Sequence, residues 1–159
     1  MNTLKLVTEG ASHILATRRF EASPEAVYGA HTHPELIRQW MLGPPGWTMP
    51  ECSIDPVPGG RFRYVWERGD GSRLAITGTI LEVEPGRRIV HEERMALGGN
   101  SVEYRVEALF DPEGSGTLLR LRLTFPDEAT RTSMLETGME QGMEASYQRV
   151  EPLLETPPQ

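Results

Sequence analysis

The last long segment of the chain constrains the fold more than any other. Residues 127–154 read DEATRTSMLETGMEQGMEASYQRVEPLL, and Leu135, Met139, Met143, Tyr147, Val150 and Leu154 recur at steps of three or four. That spacing predicts one long α-helix with a single apolar face, and such a face has to lie on something. Met134, Gly138 and Gly142 fall beside or along the same stripe. A glycine inside a helix costs about 1 kcal/mol relative to alanine, so two of them four apart call for compensation. Either a strand packs close against the helix backbone there, or the missing side chains leave a hole. Methionine is unbranched and adapts to irregular surroundings, which suits a helix roofing a cavity and equally a core helix whose methionines fill gaps.

What the helix covers follows from the middle of the chain, where the period changes from helical to alternating. Residues 12–21 place Ile14, Ala16 and Phe20 on a two-residue period, which predicts a first strand. Ser23-Pro24-Glu25 and His33-Pro34-Glu35 are two helix starts in succession, followed by Val27 and Ala30, then by Leu36, Ile37, Trp40 and Met41. They predict two short helices. Gly43-Pro44-Pro45-Gly46 ends the second and puts Trp47 on a loop. Then come a short strand at residues 51–55, Phe62, Tyr64 and Trp66 on one face of the next, and strands over residues 73–83 and 88–95. Val102, Tyr104, Val106, Ala108 and Phe110 alternate with polar residues, as do Leu119, Leu121, Leu123 and Phe125. Asp70-Gly71, Pro85-Gly86 and Gly98-Gly99-Asn100 mark turns. The expected architecture is α+β: a curved antiparallel sheet wrapped around a long C-terminal helix, with two short helices after the first strand. Residues 1–11 are expected to be a flexible arm, 12–154 a single domain and 155–159 a tail.

Composition narrows the function. At 159 residues the chain can bury a core without staples. A formal charge of -7 opposes binding to nucleic acid or anionic membranes. The single cysteine, Cys52, excludes an internal disulfide, and there is no 18-residue apolar run and no cleavable leader pattern, so a cytoplasmic protein is expected.

The order of motifs resembles a known family. FEASPEAVY at residues 20–28, HPELIRQW at 33–40, PGGRFRY at 58–64, GTILEVEPGRRIV at 78–90 and GTLLRLR at 116–122 are similar to the domain related to the activator of heat shock protein 90 ATPase. That domain belongs to the START-like, or SRPBCC, superfamily with the birch-pollen allergen and the aromatase/cyclases. The resemblance spans nearly the whole chain and implies a helix-grip fold, with chaperone binding as one role. Relatives with that role work beside a separate N-terminal domain, which is not expected in 159 residues, so chaperone binding is possible but discounted as an expectation. Many relatives carry Gly-Trp in the last helix, where this chain has Gly138-Met139 and Gly142-Met143.

Catalytic signatures are sparse. No phosphate loop, dinucleotide fingerprint or nucleophile elbow occurs. His31 and His33 form an H-x-H without a third ligand nearby, so no metal and no cofactor are expected. His91 and Glu93 share one strand face. If that face is interior, an apolar cavity would raise the carboxyl's pKa and make it a candidate acid or base. The expected function is therefore binding of a small apolar or aromatic ligand between sheet and helix. The lining would be Trp40, Trp47, Phe62, Tyr64, Trp66, Tyr104, Met134, Met139, Met143 and Tyr147, with tyrosine hydroxyls, a tryptophan N–H or His91 orienting the ligand. A cyclase- or dehydratase-like enzyme using His91 or Glu93 is the catalytic alternative. Leu74, Met95 and Leu97 are candidates for a homodimer patch.

Overall fold

The computed structural model describes residues 2–97 and 99–155. Gly98 of the expected turn and the expected tail from residue 156 lie outside them. Eight strands form a single sheet in the order β1-β2-β8-β7-β6-β5-β4-β3. They are β1 (Lys5–Glu9), β2 (His13–Phe20), β3 (Trp47–Ile54), β4 (Arg61–Arg68), β5 (Arg73–Glu84), β6 (Arg88–Leu97), β7 (Asn100–Glu113) and β8 (Gly116–Thr124), every pairing antiparallel. From β3 to β8 the chain runs as a meander, each strand beside the next. The helices α1 (Pro24–Thr32) and α2 (Pro34–Trp40) carry the chain from β2 to the opposite edge. Their starts follow the sequence signals: the Ser23 hydroxyl accepts from the Ala26 N–H at 3.2 Å, and Pro24 and Pro34 open the two helices.

Two expectations about loops are corrected. Within the arm expected at residues 1–11, Lys5–Glu9 form a strand and pair along β2, Lys5 opposite Thr17 and Glu9 opposite His13. A strand exposed along most of its length carries no apolar alternation to read, so its order comes from the backbone ladder. Trp47 lies at the start of β3 rather than on a loop, because the register shift between Thr48 and Glu51 lets the strand continue past Pro50.

The C-terminal helix gripped by the sheet is present and comes in three segments, α3 (Glu128–Leu135), α4 (Met139–Tyr147) and α5 (Val150–Glu155). Gly138 stands at φ 82°, a left-handed conformation that breaks the hydrogen-bond ladder between α3 and α4. Pro152 has no N–H to give the Gln148 carbonyl and its ring would crowd that carbonyl, which accounts for the break at residues 148–149. The two glycines thus serve neither purpose anticipated for them. Gly138 is a joint, and Gly142 faces Pro44 of the loop after α2, with 3.9 Å from an added Cβ to the proline ring.

Arg18 holds this helical segment to the sheet. It lies on the inner face of β2 between Ala16 and Phe20 and is 4% exposed. Its Nε and Nη2 donate to the two Glu144 carboxylate oxygens at 2.9 and 3.3 Å, and Nη1 reaches Glu151 at 3.5 Å. Glu144 also accepts the Leu4 N–H at 2.9 Å and the Gln148 amide at 3.1 Å. Partial burial would raise the Glu144 carboxyl, but the hydrogen bonds from Arg18, Leu4 and Gln148 outweigh it and leave its pKa lowered. On the outer face, Arg88 with Glu107, Arg105 with Glu92 and Arg120 with Asp111 pair across neighbouring strands, as the alternation of acids and bases there predicts.

Arg18→Met leaves Glu144 facing the sheet without its counter-ion, and stability measured by chemical denaturation is expected to fall by about 3 kcal/mol, the range for breaking a buried pair from one side. Exposed pairs such as Arg63 with Glu51 should cost less than about 1 kcal/mol on the same change, which provides the control.

Candidate functional site

The register of β4 to β7 places a row of side chains across the middle of the inner face. Phe62 is opposite Gly78, Gly78 opposite Glu93, and Glu93 opposite Tyr104; in the next row Ile80, His91 and Val106 are opposite one another. Gly78 is what lets this row close up. A Cβ there would collide with the Phe62 ring and the Glu92 carbonyl, so the ring lies over bare backbone. Phe62 then stacks on Tyr64 with centroids 5.4 Å apart and meets His91 edge-on at 5.1 Å, and Tyr64 meets Trp66 at 6.0 Å.

Within this aromatic wall sits one hydrogen-bonded histidine–carboxylate pair. His91 Nε2 and Glu93 Oε1 are 2.6 Å apart. Burial acts to raise the Glu93 carboxyl, but the charge of His91 and hydrogen bonds from His91 and Tyr104 prevail, so its pKa is lowered. The expectation of a raised carboxyl is thereby corrected: it foresaw the burial and lacked the partners. The Tyr104 phenol is pushed well above its ordinary range, first by burial and then by the Glu93 charge. Burial likewise raises Tyr64 and Tyr147.

The expected lining residues fall into two groups. Trp40 and Tyr147 belong to a closed stack: their rings lie 5.4 Å apart at 19°, with His31 4.8 Å from Trp40 and Phe20 5.5 Å from Tyr147. The Trp40 indole N–H donates to the Ala30 carbonyl at 2.8 Å and that of Trp66 to the Met41 carbonyl at 2.7 Å, so neither is free to orient a ligand. Trp47 is half-buried at the sheet margin, with the Arg68 guanidinium 5.1 Å above it. The second group is Phe62, Tyr64, Trp66 and Tyr104, facing the helices. Met134 is buried on α3, while Met139 and Met143 on α4 are half-buried.

Those half-buried methionines have counterparts on the sheet. Leu74, Ile76, Met95 and Val102 occupy the inner face near the ends of β5, β6 and β7 and are also half-buried, as is Leu135 on α3. Leu74 and Met95 thus belong to the inner face, not to an outward homodimer patch; the Leu97 side chain lies outside the described residues. A groove of about 480 Å³ is lined by Thr77, Thr79, Glu92, Arg94, Glu103 and Arg105, and also by Gly78, Glu93 and Tyr104 of the row described above. Its walls are charged and partly paired with each other.

His31 and His33 do not converge on a metal. Each Nδ1 faces a carbonyl of its own helix, Val27 at 2.7 Å and Gly29 at 2.9 Å. Among the described residues no three His, Cys, Asp or Glu side chains are grouped to hold an ion. No described helix is long and apolar enough to cross a membrane. Arg18 and His31 are interior residues that the sequence reading did not assign to the inside. Arg18 falls on the same two-residue period as Ile14, Ala16 and Phe20, a signal that was present, whereas His31 gives none beyond its place on α1.

Residues 21–155 match the family model described as Activator of Hsp90 ATPase homolog 1-like protein. The chain belongs to this family. Solved structures of the same START-like, SRPBCC fold include a Rhodobacter sphaeroides protein, 28% identical over 96% of this chain and 97% of its own, with a TM-score of 0.88. A Mycobacterium smegmatis protein aligns over the whole of both chains at 18% identity and a TM-score of 0.85. One from Nitrosomonas europaea is 23% identical over 92% of this chain and 96% of its own, with a TM-score of 0.79. No curated protein matches the chain. For this member of the Activator of Hsp90 ATPase homolog 1-like family, the likenesses establish the family and the fold.

His31 gives the interior a pH signature. Burial pushes its pKa down to about 4 from 6.5, with the Val27 carbonyl opposing and His91 adding to the shift. Below pH 6.5 the unfolded chain takes up a proton that the native ring refuses until about pH 4, so native stability falls across that window as pH falls. Unfolding free energy is expected to be about 2 kcal/mol lower at pH 5 than at pH 7, and His31→Phe should flatten this segment of the profile. Glu93 acts in a lower window: its folded pKa lies below 4.5, so its contribution is present above that value and lost as pH falls beneath it.

Proposed function

We propose that the chain binds a small apolar or aromatic molecule between the inner face of the sheet and α3–α4. The supporting observation is the exposure of His91 and Glu93. They lie on β6, with hydrogen-bonded strands on both sides, yet their side chains are 17% and 16% exposed. A continuous sheet blocks access from its outer face and from both flanks, so that accessible surface opens toward the helices. The half-buried side chains of Leu74, Ile76, Met95 and Val102 on one side, and of Leu135, Met139 and Met143 on the other, form an apolar rim around it. An apolar rim with a few polar groups at depth is the usual constitution of a small-molecule site. The methionines suit an opening that adapts to its contents.

The neutral aromatic probe N-phenyl-1-naphthylamine is expected to gain fluorescence on addition of the protein. Met95→Trp should fill the rim and weaken binding about tenfold, or about 1.4 kcal/mol, without lowering the melting temperature. A wild-type protein that neither brightens the probe nor releases a co-purified small molecule on denaturing mass spectrometry would remove this reading. The chamber's shape should also depend on Gly78: in Gly78→Ala, Phe62 must leave its place, with a stability loss of about 2 kcal/mol and weaker probe binding.

A further inference from the structure

We propose that His91, oriented by Glu93, is a proton-accepting site that selects ligands carrying an acidic hydroxyl on an aromatic ring, the phenol class. This rests on the chamber proposed above and assigns its chemistry. The geometry begins with the contact between His91 Nε2 and Glu93 Oε1 at 2.6 Å. An ionised carboxylate can only accept, so Nε2 carries the hydrogen, and in the neutral form of the ring the lone pair is on Nδ1. Tyr104 stands opposite Glu93 on the neighbouring strand, and its hydroxyl helps to lower the Glu93 carboxyl. A histidine whose far nitrogen donates to a carboxylate has its tautomer fixed, which leaves the other nitrogen to accept.

Nδ1 is the atom left over. It has no hydrogen-bond partner among the described residues, and it differs from the two side-chain nitrogens that are sealed in the interior without one, His31 Nε2 and Arg131 Nε. His91 keeps accessible surface on its side chain, whereas His31 has none to offer at Nε2. The ring meets the Phe62 edge at 5.1 Å, and Tyr64 continues the wall, so a planar ligand stacked there would present its substituent to His91. Charge decides the class further. Glu93 is already anionic, and the buried Arg18 is taken up by Glu144 and Glu151, so a ligand that arrives as an anion would meet repulsion. A neutral hydroxyl meets none. Its proton moves toward Nδ1, the O–H electron pair stays on the ligand oxygen, and the total charge of the group of three is unchanged.

The test compares 4-nitrophenol with 4-nitroanisole, which has the same ring and a methyl ether in place of the hydroxyl. Wild-type protein should bind both, prefer the phenol about tenfold, and shift the absorption band of the bound phenol to the red while leaving that of the ether in place. His91→Phe should keep the ether's affinity within about twofold and lose the preference and the red shift. Glu93 is a positioning residue in this scheme: Glu93→Gln keeps an acceptor for Nε2–H but removes the charge, so phenol binding persists with a smaller red shift. Retention of the ether in either variant shows that the chamber is intact. Equal binding of phenol and ether by the wild type, or a preference that survives in His91→Phe, overturns the inference and leaves the chamber standing. Binding of neither compound overturns both.

Discussion

A cation placed on the inner face of a sheet is the interaction on which the rest of this molecule depends. Arg18 would be costly to bury alone, and the structure brings Glu144 and Glu151 from two helical segments to meet it. Glu144 in turn gathers the Leu4 N–H from just before β1. One guanidinium therefore fixes the N-terminal strands and the C-terminal helices to each other. Apolar contact is non-directional and would let α4 slide over the sheet, whereas a bidentate arginine–carboxylate contact admits few alternatives. The closed stack of Trp40, His31 and Tyr147 forms at the same end, and Arg149 ties the loop after α2 to it through the Gly43 carbonyl at 2.8 Å.

At the other end of the inner face the packing is of a different kind. There α3 and α4 offer Leu135, Met139 and Met143, all half-buried, and the sheet offers an aromatic wall that holds the hydrogen-bonded His91 and Glu93. The difference follows from where the directional contacts lie. Arg18 and Arg149 secure α4 and α5, while α3 is separated from α4 by the Gly138 joint and anchored through Arg131 to the Gly10 carbonyl at 2.6 Å. The half-buried apolar side chains of α3 and α4 thus gather away from the Arg18 contact.

Much of this was legible in the chain. Alternation in residues 102–110 and 119–125 gave the inner faces of β7 and β8 residue for residue, because a half-buried strand writes its burial into a two-residue period. Serine and histidine before proline gave both short helices. Three things could not be read. β1 is mostly exposed, so its pairing leaves no mark on side-chain polarity. The segmentation at Gly138 depends on one residue taking a positive φ, while the apolar stripe runs on across the break. The state of Glu93 depends on its partners across the sheet and within its own strand, and register is a property of the whole meander rather than of any strand. The tryptophans show a further limit: periodicity places Trp40 and Trp66 inside, but not which carbonyl will take up each indole N–H.

The strand order also bears on how the chain reaches this state. From β3 to β8 every neighbour in the sheet is a neighbour in sequence, so these strands can zip up as successive hairpins with short loops to close. β2 cannot. It lies beside β8, and Ile14 faces Leu123 from the far end of the chain. Closing so long a loop costs entropy that only the finished edge of β8 can repay. The first strands and the last helices, held by the same guanidinium, are thus the late-forming part of the molecule. A nascent chain would carry the aromatic wall exposed until its final turn of helix had been made.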